Sequence, residues 1–289
     1  MNNRIALGTA QFGSSYGIAN RTGQVSRDEV SMILEYAWQA GVNTLDTAMA
    51  YGQSEQRLGE IGVEKWRIIS KIPAVPDSCD DVALWVRESV LGSLERLKIP
   101  KLYGLLLHRP QQLGTHQGGE LYCALDGLRD EGLVGKIGIS IYSPDELDAI
   151  WPRFKLDLVQ APFNILDRRL ETSGWLTRLH QAGVEVHIRS VFLQGLLLMS
   201  AQNRPAMFNR WQSLWDCWES WLKEQRTNPL QTCLGVALAQ PGIDRVVVGI
   251  DSLKHVQEVL HAAKMKCKSA PKSLATDDIE LLNPSRWAK

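Results

Sequence analysis

The sequence predicts one (β/α)8 barrel, a TIM barrel, on three observations. Eight short apolar runs rich in Ile, Val and Leu recur along the chain, each followed by a longer segment of helical period. The length of 289 residues suits one such barrel of about 250 residues with a tail. No repeat, low-complexity stretch or linker divides the chain, so residues 1–289 are expected to form a single domain. An open doubly wound sheet is the other arrangement that the alternation permits.

The first run is IALGT, beginning at Ile5, and the helix after it spans Ser26 to Ala40. Its S-R-D-E start is a capping box, and Gly41 marks its end. The second strand, Asn43 to Ala48, leads into a turn carrying Tyr51 and Gly52 and a helix opening at Ser54. RIISKI is the third strand. The helix from Asp80 to Lys98 follows, with Val82, Leu84, Trp85, Val90, Leu91 and Leu94 as the stripe expected to pack on the sheet and Pro100 as the stop. LYGLLLHR precedes a helix from Glu120 to Glu131, KIGISI one from Pro144 to Ile150, and LDLVQAPF one from Trp175 to Gln181. After EVHIRSVF come helices Phe208 to Gln225 and Leu230 to Gln240, and after RVVVGI one from Leu253 to Lys264. Trp211, Trp215, Trp218 and Leu222 share one helix face, to be filled by core packing, by substrate or by a partner. The tail, Lys266 to Lys289, is polar and is expected over one end of the barrel.

Composition excludes several classes. Lys plus Arg and Asp plus Glu balance at 32 each, which leaves no net field to attract nucleic acid or an anionic membrane, though a local phosphate pocket remains open. The N-terminus lacks the apolar core of a signal peptide, and no apolar run approaches the ~20 residues of a membrane span. A cytoplasmic protein is expected. Cys79, Cys123, Cys217, Cys233 and Cys267 are odd in number and form no CxxC pair, so buried free thiols are expected rather than disulfides or a metal site.

The chemistry gathers on NTLDTAMAYGQSEQRLGE, residues 43–60. Asp46 falls at an apolar strand end, where an unpaired carboxylate would cost several kcal/mol, so it requires a cation. Lys71 closes the third strand and His108 the fourth. Period-two alternation sets Thr44 with Asp46, Ile69 with Lys71, and Leu106 with His108 on one side of each strand. The carboxylate and ammonium can therefore pair, and an ammonium near the Tyr51 hydroxyl favours the phenolate, which makes Tyr51 a proton donor. His108, neutral or charged, can hold a carbonyl oxygen against it. Such a donor calls for a nucleophile at carbon, and hydride from a nicotinamide supplies one.

The set Leu45-Asp46-Thr47-Ala48, Tyr51, Ser70-Lys71 and Leu107-His108 resembles the Asp, Tyr, Lys and His tetrad of the aldo/keto reductase superfamily, with likeness from LGTAQFG to the Gly249 region. The resemblance implies a barrel that binds NADP(H) extended, with NAD(H) not excluded, and that reduces a small-molecule aldehyde or ketone, a sugar derivative among the candidates. It implies catalytic roles for Asp46, Tyr51, Lys71 and His108. It implies cofactor contacts at Thr9, Asp46, Ser140, Gln160, Arg189, Ser190, Gln194, Gly195, Gly249, Ser252, His255 and Glu258. Three positions depart from the family pattern: Ile141 stands for an Asn, Val259 for an adenine-binding Asn, and Arg189 for the aromatic residue that stacks on the nicotinamide. Lys254 is the nearest cation for a 2′-phosphate. Two other readings follow: a nucleotide-binding regulatory barrel with little turnover, and a lyase using Lys71 as a Schiff base.

Overall fold

Eight parallel strands close into a barrel in sequential order in the computed structural model of the chain, which describes residues 4–20, 23–265 and 270–287. The strands are β1 (Ile5–Gly8), β2 (Thr44–Asp46), β3 (Arg67–Ile72), β4 (Gly104–Leu107), β5 (Ile137–Ser140), β6 (Leu158–Pro162), β7 (Glu185–Arg189) and β8 (Arg245–Gly249). Every pair is parallel, and β8 returns to β1 with Gly249 beside Gly8. Burial on both faces explains why the strands read as continuous apolar runs. Inside the barrel, Ile69, Leu106 and Leu158 form a layer of their own, which bears out the inward alternation.

The helices that shape the functional face are α1 (Arg27–Gln39), α2 (Ser54–Ile61), α3 (Val82–Leu97), α4 (Gly118–Asp130), α5 (Asp145–Ile150), α6 (Trp175–Gln181), α7 (Gln212–Gln225), α8 (Pro229–Ala239) and α9 (Leu253–Ala262). Several boundaries and faces differ from expectation for identifiable reasons. β2 is only Thr44–Asp46, because beyond it the chain bends while its amides still reach β3, Thr47 N–H to the Ile69 carbonyl at 2.8 Å and Met49 N–H to that of Lys71 at 3.1 Å. On α3 the buried stripe is Val82, Val86, Val90, Ser93, Leu94 and Leu97, while Leu84 and Leu91 face solvent, since residues spaced by about 3.6 share a face. Phe208 lies in a 3-10 turn ahead of α7, where its carbonyl accepts the Trp215 indole N–H at 2.9 Å.

Trp215, Trp218 and Leu222 are buried, so packing accounts for that face. The described part of the tail, 270–287, is anchored by buried Leu274, Leu281, Leu282 and Trp287, the last edge-on to Phe208, and is therefore not the polar cover expected; residues 266–269 and 288–289 lie outside the described residues. Cys79, Cys123, Cys217 and Cys233 form no disulfide with one another, but only Cys233 is buried and Cys123 is exposed on α4; Cys267 lies outside the described residues. Among the described residues, no helix is long and apolar enough to cross a membrane.

One buried charge fixes the helices behind the site. Glu55 on α2 accepts the Ser70 and Ser93 hydroxyls, each at 2.6 Å, and a two-pronged contact from Arg96 at 2.7 and 2.9 Å. The residue clamps α2 to β3 and α3, next to Lys71. Glu55→Ala strands two buried hydroxyls and is expected to cost about 3 kcal/mol in urea unfolding. A loss under about 1 kcal/mol would show that the clamp adds nothing.

Candidate active site

The strand ends at the C-terminal rim carry the polar groups. Lys71 Nζ donates to Asp46 Oδ1 at 2.6 Å and to the Thr47 carbonyl at 2.9 Å, and both side chains are buried. Burial alone would drive the amine toward its neutral form, but the Asp46 carboxylate and then Tyr51 more than offset that, leaving Lys71 above the ordinary lysine pKa. The second oxygen of Asp46 accepts from the Gln160 amide at 2.6 Å, and the Gln160 carbonyl accepts the Ser140 hydroxyl at 3.2 Å. A chain from β5 through β6 to β2 and β3 thus gives both Asp46 oxygens, the Lys71 ammonium, the Gln160 amide and the Ser140 hydroxyl a partner.

Tyr51 stands above this pair. The Lys71 ammonium lies 5.2 Å from its ring centroid, and the His108 ring meets it edge-on at 6.0 Å and 81°. The structure thus brings Asp46, Tyr51, Lys71 and His108 together. His108 is pushed down to about 4, by burial first and then by the Lys71 and Arg189 charges, so it is a neutral imidazole near pH 7. It can donate one hydrogen bond without repelling the ammonium. Followed by NMR, its midpoint is expected near pH 4, and one near 6.5 would contradict the burial. Because its folded pKa lies below the unfolded 6.5, the stabilisation linked to it is complete above 6.5 and fades as pH falls toward 4.

The turn that carries Tyr51 is set by contacts that sequence reading missed. The Ser54 hydroxyl donates to Thr9 Oγ1 at 2.8 Å and lies 3.1 Å from Thr47 Oγ1, and the Thr9 hydroxyl donates to the Asp46 carbonyl at 3.1 Å. Gly13 and Gly52 meet backbone to backbone, and a Cβ on Gly13 would stand 1.7 Å from the Tyr51 carbonyl oxygen. No local signal marks Gly13 out, because its neighbour lies across the turn from another strand.

A cleft of about 780 Å³ opens from Asp46 and Tyr51 across the ends of β1, β8 and β7. That volume suits a bound cofactor. Its walls include Thr9, Gln11, Tyr16, Arg189, Ser190, Gln194, Gly195, Gly249, Asp251 and His255. In the loop after β7, Ser190, Leu193, Gln194 and Gly195 all have positive φ, from 48 to 89°. Left-handed backbone at three residues other than glycine is strain of the kind that gathers where a ligand is gripped. Gly195 also touches the loop after β1: a Cβ there would lie 2.4 Å from the Ala19 methyl, and Gln194 reaches the Tyr16 hydroxyl at 3.4 Å. The two loops bridge the cleft. Gly195→Ala is expected to part them and to weaken nucleotide binding about 10-fold, read by fluorescence titration, whereas unchanged affinity would remove the bridge from the site.

The residues expected to hold a nucleotide divide into three groups. Thr9, Asp46, Arg189, Ser190, Gln194, Gly195, Gly249 and His255 line the cleft. Ser140 and Gln160 lie buried behind Asp46, with their polar atoms joined to each other. Ser252 and Glu258 are outside its walls: Ser252 caps α9, and Glu258 faces solvent. Lys254 is 84% exposed, 3.8 Å from Glu258, and Val259 is fully buried core. Arg189 stacks on the Tyr142 ring at 4.6 Å and donates to the Ile141 carbonyl at 2.9 Å, so Tyr142, an aromatic ring missed in the sequence, stands beside it.

The aldo/keto reductase family model matches residues 4–271. The chain is 29% identical over 251 residues to the D-threo-aldose 1-dehydrogenase of a Pseudomonas species, covering 73% of this chain and 76% of that one. It is 29% identical over 216 residues to the NADH-specific methylglyoxal reductase of Escherichia coli, covering 67% and 65%. In structure it superposes on the holo form of an aldo-keto reductase from Bacillus halodurans with a TM-score of 0.73, at 22% identity and 92% and 88% coverage, a likeness of fold.

Proposed function

The chain belongs to the aldo/keto reductase family, and on that premise we propose that it reduces an aldehyde or ketone, reversibly, with a nicotinamide dinucleotide lying in the cleft from β2 to β8. The observation that carries the reading is the buried Lys71–Asp46 pair at 2.6 Å beneath a tyrosine that faces the cleft. The family resemblance makes NADP(H) the first expectation and NAD(H) the second. Similarity to an enzyme named for methylglyoxal and NADH keeps both open. An aldose or sugar derivative is the substrate class supported by similarity to the D-threo-aldose dehydrogenase.

The cleft walls fit such a cofactor: the left-handed loop after β7 lines it with the polar Ser190 and Gln194, and Gly249 leaves room beside the Gln11 amide, 2.9 Å from where a Cβ would stand. When bound, the nicotinamide supplies hydride to the carbonyl carbon. Tyr51 gives its hydroxyl proton to the carbonyl oxygen. The Lys71 ammonium stabilises the negative charge that this leaves on the phenol oxygen, and Asp46 keeps the lysine charged and in place. His108, uncharged, donates a hydrogen bond to the same carbonyl oxygen and fixes its direction.

Holding Lys71 protonated opposes the Schiff-base lyase reading, which needs a neutral amine. The regulatory-barrel reading differs only in turnover. Oxidation of reduced nucleotide in the presence of 4-nitrobenzaldehyde is the test, with borohydride trapping on Lys71 as its control. Nucleotide oxidation that depends on the aldehyde is expected. Tight nucleotide binding without turnover favours the regulatory barrel, and trapping on Lys71 favours the lyase.

A further inference from the structure

The far end of the cleft, away from Tyr51, is closed by Gly249, Asp251 and His255, where β8 runs into α9. A ten-residue helix beginning at a cleft wall would ordinarily offer its first amides and its positive end to a phosphate. Here two of those amides are already taken. The Leu253 N–H donates to Glu29 Oε1 of α1 at 2.6 Å, and the His255 N–H donates to Ser252 Oγ at 3.1 Å. Glu29 was expected to close a capping box on its own helix. Ser26 does accept from the Glu29 N–H, at 3.3 Å, but the Glu29 carboxylate turns away to α9.

A second carboxylate, Asp251, precedes the same helix. Asp251 lines the cleft, with His255 Nδ1 at 3.0 Å and the Ser252 hydroxyl at 3.2 Å from Oδ1. The hydrogen bond from His255, foremost, holds its carboxyl below the usual range, so it is an anion at neutral pH. The cations are elsewhere. Lys254 projects into solvent beside Glu258, and the Arg189 guanidinium is spent on Ile141 and Tyr142 at the Tyr51 end. Among the described residues, no other Arg or Lys lines the cleft.

We propose that this end of the cleft is built for an unphosphorylated ribose, and that the chain takes NAD(H) in preference to NADP(H). A sugar hydroxyl donates a hydrogen bond to the Asp251 carboxylate, which can only accept. A 2′-phosphate placed there meets the Asp251 carboxylate and a helix end two of whose first amides are already bonded, one of them to the Glu29 carboxylate behind it. The inference rests on the nicotinamide reading above and reverses the preference expected from the resemblance alone.

Equilibrium binding of NADH and of NADPH, followed by quenching of tryptophan fluorescence on the full chain, tests it without reference to turnover. NADH is expected to bind at least about 10-fold more tightly. Asp251→Ser is expected to narrow that ratio by about 10-fold, mainly through tighter NADPH, and Glu29→Gln to narrow it further. Added salt is expected to favour NADPH in the wild-type chain, by screening the two carboxylates. Tighter binding of NADPH by the wild type, or an unchanged ratio in Asp251→Ser, would overturn the inference while leaving the reductase reading in place. Binding of neither dinucleotide would overturn both.

Discussion

Tyr51→Phe is expected to lower kcat by about 10²- to 10⁴-fold, the usual contribution of a positioned proton donor, while the dissociation constant for reduced nucleotide changes less than about 2-fold. The two readouts separate because the hydroxyl is the only atom removed. The ring that faces His108 edge-on and covers the Lys71 ammonium remains, and so does the cleft wall it forms. The buried pair beneath is untouched. Lys71→Met is a harsher change, since it leaves the Asp46 carboxylate buried without its cation, and it is expected to cost about 3–5 kcal/mol of stability as well as turnover. A Tyr51→Phe chain that turns over at the wild-type rate would remove the proton-donor role, and an unchanged unfolding midpoint in Lys71→Met would show that the pair carries no folding energy.

Gly13→Ala is expected to have the second largest effect, although Gly13 has no side chain to take part in chemistry. The added methyl would stand 1.7 Å from the Tyr51 carbonyl oxygen and 2.6 Å from the Ser54 amide nitrogen, both backbone atoms that cannot rotate aside. The turn has to shift by something near 1 Å, and a displacement of that size at a reacting group costs about 10²-fold in rate. Overpacking should take about 1–3 kcal/mol of stability in addition. Gly127→Ala on α4 is the control, because a Cβ there meets nothing within 4 Å. Equal kinetics in the two variants would mean that the loop after β1 does not position Tyr51.

Much of the barrel was legible from local pattern. A buried parallel strand announces itself by an apolar run of four to six residues, and a strand end announces itself where that run meets a polar group, so RIISKI points to Lys71 and LYGLLLHR to His108 without any coordinates. Period two places Asp46 and Lys71 on the inside of adjacent strands, and β2 and β3 are paired as that requires. Where such periodicity misled, a rival pattern was present: on α3 the spacing 82, 86, 90, 93, 97 describes the buried face better than one that includes Leu84 and Leu91.

The sequence by itself therefore determined the alternation of strands and helices and that Asp46, Lys71 and His108 close successive strands, because both follow from repeats of two and of about 3.6 residues read over short windows; closure into a barrel and the place of Tyr51 beside them came with the structure. Only the tertiary structure decided where the remaining bonding capacity of those groups goes. Gln160 reaches Asp46 across 114 positions, Glu29 reaches the first amide of α9 across 224, and Gly13 lies against the Tyr51 carbonyl with no side chain to advertise the contact. Closing a barrel brings strand ends together at distances no local window spans, and a carboxylate's partner is chosen by that closure. The sign of charge at the far end of the cleft was for that reason invisible until β8 lay beside β1.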